Sequence, residues 1–245
     1  MKYLIIGASS GLGKELAYKF AEKNHNIILV SRDERDLNAL KSDIQNKYKN
    51  EVEVLSLDLS SNEELDKNLL NEKYFKEVDG VLFPIGMMLD DDDENLQFEK
   101  INKLMNSNFV SISYIISNFL NHLNSKNGLV VGFGSISGYL GRKINPYYSS
   151  SKRALESYFE SLAFINKNNN LKIQFYILGY LDTNLAFGKK LKLPKGSPKK
   201  LADIVYKNRD QKFKKIYFPF WWSSIAFLLK IIPLKFFLIL DKILR

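Results

Sequence analysis

Six short aliphatic runs, separated by five stretches with helical spacing, constrain this chain more than any other feature. The runs are Leu4–Ile6, Asn26–Val30, Val52–Leu57, Gly80–Phe83, Leu129–Phe133 and Lys172–Leu178. The stretches between them, Lys14–Glu22, Glu34–Tyr48, Glu63–Asn71, Phe98–Leu123 and Tyr147–Asn166, read as helices. Strands that are apolar throughout must be covered on both faces, and intervening helices supply that cover. The pattern predicts an α/β fold with a doubly wound parallel sheet in three layers. A length of 245 residues suits one such domain. Its expected extent is residues 1–216, with residues 217–245 as a C-terminal helical extension.

The turn after the first run is Gly7-Ala8-Ser9-Ser10-Gly11-Leu12-Gly13, and it opens the first helix. Backbone amides and a helix N-terminus in this position can hold a pyrophosphate, and glycine permits the close approach. A Rossmann-type sheet is therefore expected, with Gly7, Ser9, Ser10, Gly11, Leu12 and Gly13 binding a dinucleotide. After the second run comes Val30-Ser31-Arg32-Asp33. Arg32 can pair with a 2′-phosphate and Ser31 leaves room for it, which favours NADP(H). Asp33 is the argument for NAD(H), since an acid here can bond ribose hydroxyls.

Tyr148 and Lys152 form a Y-x-x-x-K pair, and Ser135 precedes the tyrosine by 13 positions, 148 − 135. Four residues of helix put the phenol and the ammonium on one face. A phenol with its ordinary pKa near 10 is a poor proton donor at neutral pH, and a neighbouring ammonium lowers that value. The group reads as a carbonyl-reducing site.

Glycine turn, serine, tyrosine and lysine together resemble the short-chain dehydrogenases/reductases, over Met1 to about Arg209. Gly7-x-x-x-Gly11-x-Gly13 is similar to that family's T-G-x-x-x-G-x-G turn, with Ile6 in place of threonine. The resemblance implies that Lys152 also bonds the nicotinamide ribose and that Ser135 holds the substrate oxygen. It implies an adenine contact from Asp58 and a helix asparagine that anchors a water to the lysine. Asn108 fits that last role, with Asn106 and Asn102 as competitors. Leu178-Gly179-Tyr180-Leu181-Asp182-Thr183 looks like the P-G-x-x-x-T segment, so Gly179 would pass the nicotinamide and Thr183 would bond its carboxamide. Phe83-Pro84-Ile85-Gly86 stands where the family has N-N-A-G, and only Gly86 matches. Homodimers or homotetramers are implied too, built on the Phe98–Leu123 and Tyr147–Asn166 helices. Ile112, Ile115, Ile116 and Phe119 would supply the apolar stripe.

Composition narrows the alternatives. With 45% hydrophobic residues the chain is globular, and with no cysteine it has no thiolate chemistry. His25 and His122 are its two histidines, and neither sits in a hydrolase-like context. The net charge of +9 comes from scattered lysines rather than a nucleic-acid motif, so neither nucleic acid nor a metal is expected. The acidic run Asp90–Glu94 reads as a solvated loop or an N-terminal helix cap. The opening Met1-Lys2 leads directly into a strand, which points to a cytoplasmic catalytic domain.

From Tyr217 onward the composition turns aromatic and aliphatic, interrupted by Lys230, Pro233 and Lys235. Two short helices split near Pro233 are expected from Trp221 to Arg245. They suit peripheral membrane contact, for instance at the inner membrane face, or else a subunit interface or lid. Gly141-Arg142-x-x-Asn145-x-x-Tyr148, Tyr217-x-Pro219-x-Trp221 and Ile232-Pro233 are similar to the decaprenyl-phosphoryl ketopentose reductases. That resemblance implies a small-molecule carbonyl substrate, a keto-sugar borne on a lipid. The competing readings are a nucleotide-sensing module without catalysis and a membrane-attached scaffold.

Overall fold

The computed structural model describes residues 1–61, 65–69, 76–93, 95–183 and 194–243. Seven strands form one sheet: β1 Lys2–Ile6, β2 Asn26–Ser31, β3 Val52–Ser56, β4 Gly80–Phe83, β5 Leu129–Ser135, β6 Lys172–Leu178 and β7 Phe213–Phe218. Their order is β3-β2-β1-β4-β5-β6-β7, and every neighbouring pair is parallel. The order reverses between β1 and β4, and the strands' C-terminal ends open there into a crevice. The expected doubly wound, three-layer sheet is what the chain forms.

The pleat explains the layers. Along β1, Leu4 and Ile6 join the core on one face while Tyr3 and Ile5 join the core on the other. The first face is covered by α4 Ser111–Ser125 and α5 Pro146–Ile165. The second is covered by α1 Gly11–Glu22, α2 Glu34–Tyr48 and α6 Pro198–Asn208. The helix α3 Phe98–Met105 leads into α4 through a π-helical turn, Asn106–Val110. Such turns inside helices often mark functional sites. The helix expected at Glu63–Asn71 lies mostly outside the described residues, and Leu65–Leu69 form a π-helical turn.

Three expectations need correction. Ile112, Ile115, Ile116 and Phe119 do not present a stripe to another subunit, because all four are buried in this subunit's own core. An apolar helical stripe is equally suited to packing on the sheet beneath it, and that is where it goes. The helix α6 and strand β7 are additional elements. Ser197 caps α6 through the Lys200 N–H, with Pro198 in the first turn. The 216/217 boundary falls inside β7, which hydrogen-bonds along the whole of β6.

The tail forms two helices split at Pro233, as its sequence predicts: α7 Trp222–Ile231 and α8 Leu234–Ile243. It is not a detached appendage, because Trp222 and Ala226 are buried in the core shared with α4 and α5.

Candidate active site

A cavity of about 1510 Å³ lies along the C-terminal ends of the strands, across the point where strand order reverses. Its near end is the glycine turn. Gly7 has φ +97°, a conformation side chains rarely adopt. A Cβ on Gly13 would stand 2.0 Å from the Gly7 carbonyl oxygen, so α1 can pack this closely only with glycine there. Gly7, Ser9, Ser10, Gly11 and Leu12 line the cavity, while Gly13 sits behind the turn as its packing contact. Ser10 occupies the N-cap of α1 without a side-chain capping bond, and no acid stands in the first turn. The positive end of α1 thus faces the cavity with its amides available to an anion.

Along the cavity wall lie Ser31, Arg32, Asp33 and Asp58. The Ser31 hydroxyl is buried and has no partner among the described residues. Arg32 is exposed. The Asp33 carboxylate accepts the Asp36 N–H at 3.1 Å and so caps α2. It is committed to helix capping, which is the local reason for an acid at this position. Burial works against ionisation of Asp58. Two hydrogen bonds from Ser60, its N–H at 2.9 Å and its hydroxyl at 2.8 Å, together with nearby Arg32, outweigh that and hold the carboxyl below its ordinary range.

Ser135, Tyr148 and Lys152 meet at the centre of the cavity. Ser135 ends β5. Its Oγ accepts the Ser137 N–H at 3.2 Å and the Ser137 hydroxyl at 2.9 Å. With its lone pairs so engaged, its own proton is free to be donated. Lys152 Nζ donates to the Ile85 carbonyl at 2.7 Å and the Phe133 carbonyl at 3.1 Å, and lies 5.9 Å from the Tyr148 ring centre. Burial brings the Lys152 ammonium down to about 7. Burial also raises the Tyr148 phenol, opposed by Ser135 and the positive charge of Arg142. The expected lowering of the tyrosine by its lysine is therefore not what the geometry gives on its own. Both groups are dominated by the loss of water around them.

The start of α5 carries an unpredicted support. Asn145 has φ +54° and its side chain makes no capping bond. Asp92 takes over from a distant loop, accepting the Tyr147 N–H at 3.1 Å and the Tyr148 N–H at 2.9 Å. The acidic run thus supplies a helix cap, but for a helix far along the chain. Glu94 of that run lies outside the described residues.

Asn108 stands in the π-helical turn and is completely buried. It clasps Met87, donating to its carbonyl and accepting its N–H, both at 2.8 Å, and also donates to Ser151 at 3.2 Å. It touches the wall beside Gly86 rather than the Lys152 side chain. Asn106 instead bonds the Ser60 carbonyl, and Asn102 is exposed. Gly86, Gly179 and Thr183 all line the cavity. A Cβ on Gly179 would lie 1.8 Å from Nε1 of Trp222, so the glycine is required by the tail as well as by whatever passes it in the cavity.

A sequence profile of the short chain dehydrogenase family matches residues 2–192. This chain belongs to the short-chain dehydrogenase family. It is 30% identical over 195 residues to a very-long-chain 3-oxoacyl-CoA reductase from the yeast Vanderwaltozyma polyspora, covering 74% of this chain and 55% of that protein. It is 27% identical over 235 residues to hydroxysteroid 11-beta-dehydrogenase 1-like protein B of Xenopus laevis, covering 90% and 78%. The chain thus spans little more than half the length of the yeast relative. Among solved structures it superimposes on a short-chain dehydrogenase from Sphingobium yanoikuyae in complex with NADPH. The TM-score is 0.81 at 21% identity, covering 95% of this chain and 96% of that one.

As a short-chain dehydrogenase, the chain departs from its sequence motifs in informative ways. Phe83 and Pro84 stand where the family has asparagines, and the Ile85 carbonyl holds Lys152. Ser137, Asp92 and Trp222 escaped the sequence reading. Ser137 is signalled only by the spacing of a second serine two residues after Ser135. Asp92 and Trp222 reach the site through tertiary packing, which no local spacing encodes.

Proposed function

We propose that this short-chain dehydrogenase reduces a ketone to an alcohol with NADPH. One observation carries the reading. Ser135, Tyr148 and Lys152 converge in the same cavity that the glycine turn and Arg32 line. The residues present fit the dinucleotide. The amides of α1 suit its pyrophosphate, Asp58 its adenosine end, and the orphaned Ser31 hydroxyl with Arg32 a 2′-phosphate. Asp33, already bonded to Asp36, is poorly placed to serve as the acid that NAD-specific sites use. NADPH supplies the hydride when bound.

The protein's own part is proton transfer and polarisation. Ser135, its lone pairs held by Ser137, donates a hydrogen bond to the carbonyl oxygen and keeps its proton, drawing charge onto that oxygen. Tyr148 gives its phenolic proton to that oxygen as the alkoxide forms. Lys152, held by two backbone carbonyls, offsets the phenolate left behind. Asn108 fixes the backbone of the wall at Met87, beside Gly86.

Leu140, Tyr180, Trp222 and Leu229 give the substrate end an apolar wall. A ketone on a large apolar body fits it, in keeping with the oxoacyl and steroid names of the two relatives. Arg142 at the same wall favours a second reading within this class, a keto-sugar on a polyprenyl phosphate. The test is NADPH oxidation with a long-chain 3-oxoacyl thioester, a ketosteroid and a polyprenyl-phosphoryl ketopentose. Turnover with one of them, lost in Tyr148→Phe by about 10²–10⁴-fold with NADPH binding kept, is the expected result. Tight NADPH binding without oxidation by any ketone would instead make the chain a nucleotide-sensing module.

A further inference from the structure

Helix α7 has two apolar sides. Trp222, Ala226 and Leu229 face inward, Leu229 onto the cavity. Phe227, Leu228 and Ile231 face outward and are more than half exposed, at 62%, 54% and 58%. A surface helix normally turns polar residues outward. Helix α8 goes further, because Leu234, Phe236, Leu238 and Ile239 are all exposed. Apolar side chains exposed in such number on adjoining helices need a cover. No helix among the described residues is long and apolar enough to cross a membrane, so the cover is not gained by spanning one.

Charge decides what the cover is. From Gln211 to Leu240 the sequence contains no acid, while Lys230 and Lys235 flank the apolar residues and are exposed. A second copy of the chain seated on this face would bring Lys230 and Lys235 of both copies together, and the two helices carry one acid between them, Asp241, to offset them. An anionic headgroup layer offsets them and accepts the apolar side chains beneath it. The cavity mouth belongs to the same side of the molecule. Ile144, exposed at 72%, and Arg142 line the cavity together with Leu229 of α7.

We propose that the outward face of α7 and the exposed apolar residues of α8 lie on an anionic lipid bilayer, holding the cavity mouth against it. A ketone with an apolar body then reaches Tyr148 from the lipid side. The bilayer contact stands on surface geometry and charge, and only the delivery of substrate rests on the reduction proposed above.

Flotation with vesicles tests it, using the full chain and the triple variant Phe227→Ser, Leu228→Ser, Ile231→Ser. None of these three side chains lines the cavity. The wild type should float with phosphatidylcholine–phosphatidylglycerol vesicles, less so in high salt. The variant should stay behind while keeping its thermal transition and NADPH binding. It should also lose reduction of a ketone dissolved in vesicles but keep that of a detergent-dispersed one. A wild type that ignores both neutral and anionic vesicles overturns the proposal. If that wild type is also a larger oligomer than the variant by light scattering, a second copy covers the face. Failure of both ketones alongside clear flotation faults the reductase reading and leaves the bilayer contact standing.

Discussion

Asp92 and Tyr148 lie 56 positions apart, yet the Asp92 carboxylate accepts the Tyr148 backbone N–H at 2.9 Å. The loop after β4 therefore sets the first turn of the helix that presents the phenol. Asp92→Ala should cost about 1–3 kcal/mol of stability, as expected for a buried charged cap. It should lower kcat more than it weakens NADPH, because the glycine turn is at the other end of the cavity. Asp92→Asn should recover most of kcat. Steady-state kinetics with urea unfolding checks this, and equal losses in kcat and NADPH affinity would count against it.

Arg32 and Asp33 are neighbours with separate duties. Arg32→Ala should weaken NADPH by roughly tenfold or more, the worth of one charge-assisted pair, and leave NADH unchanged. Asp33→Ala should lose about 1 kcal/mol of stability through its cap on α2 and leave the cofactor preference alone. Fluorescence titration of both cofactors decides it. A shift toward NADPH in Asp33→Ala would show that the acid does read the ribose.

Lys152 makes the ligand-free protein sensitive to pH. Burial brings its pKa from 10.5 down to about 7, so the folded value lies below the unfolded one. Between those two values the unfolded chain binds a proton that the folded chain lacks. Stability therefore rises with pH across this window, and below it the cost of burying the charge is fully present. Lys152→Met removes this dependence. Wild-type stability relative to the variant should improve from the lower end of the window to the upper, as read by urea unfolding at both. A constant difference would refute the burial argument.

A homodimer seated on the outward faces of α4 and α5 is our expectation for the quaternary structure. The inward stripe of α4 is core, but Tyr114 on α4 and Phe164 and Ile165 at the end of α5 are exposed. Tyr114→Glu with Phe164→Glu should give a monomer by light scattering and leave vesicle flotation intact. A wild type that is already monomeric at micromolar concentration rules the interface out.

The fold was readable from sequence where burial is two-sided. Ile27 to Val30 are all completely buried, so β2 appears as an unbroken aliphatic run. Strand β7 was not readable, because it is an edge strand that carries Lys214 and Lys215, and charge on an edge hides the alternation. The Tyr148–Lys152 relation was readable because a helix converts spacing into proximity. Their ionisation was not, since it depends on how completely the surrounding elements exclude water. Sequence spacing did not separate Asn108 from Asn106 and Asn102, whereas the π-helical turn buries Asn108 against Met87.

The indole of Trp222 fills the space that a side chain on Gly179 would take. The helix after the last strand is thus a wall of the cavity, contributed by the C-terminal part of the chain. A cut between β7 and α7 would not release a trimmed, still-working protein. It would leave an indole-sized hole beside the segment from Gly179 to Thr183, so clipping at this point would act as an off switch.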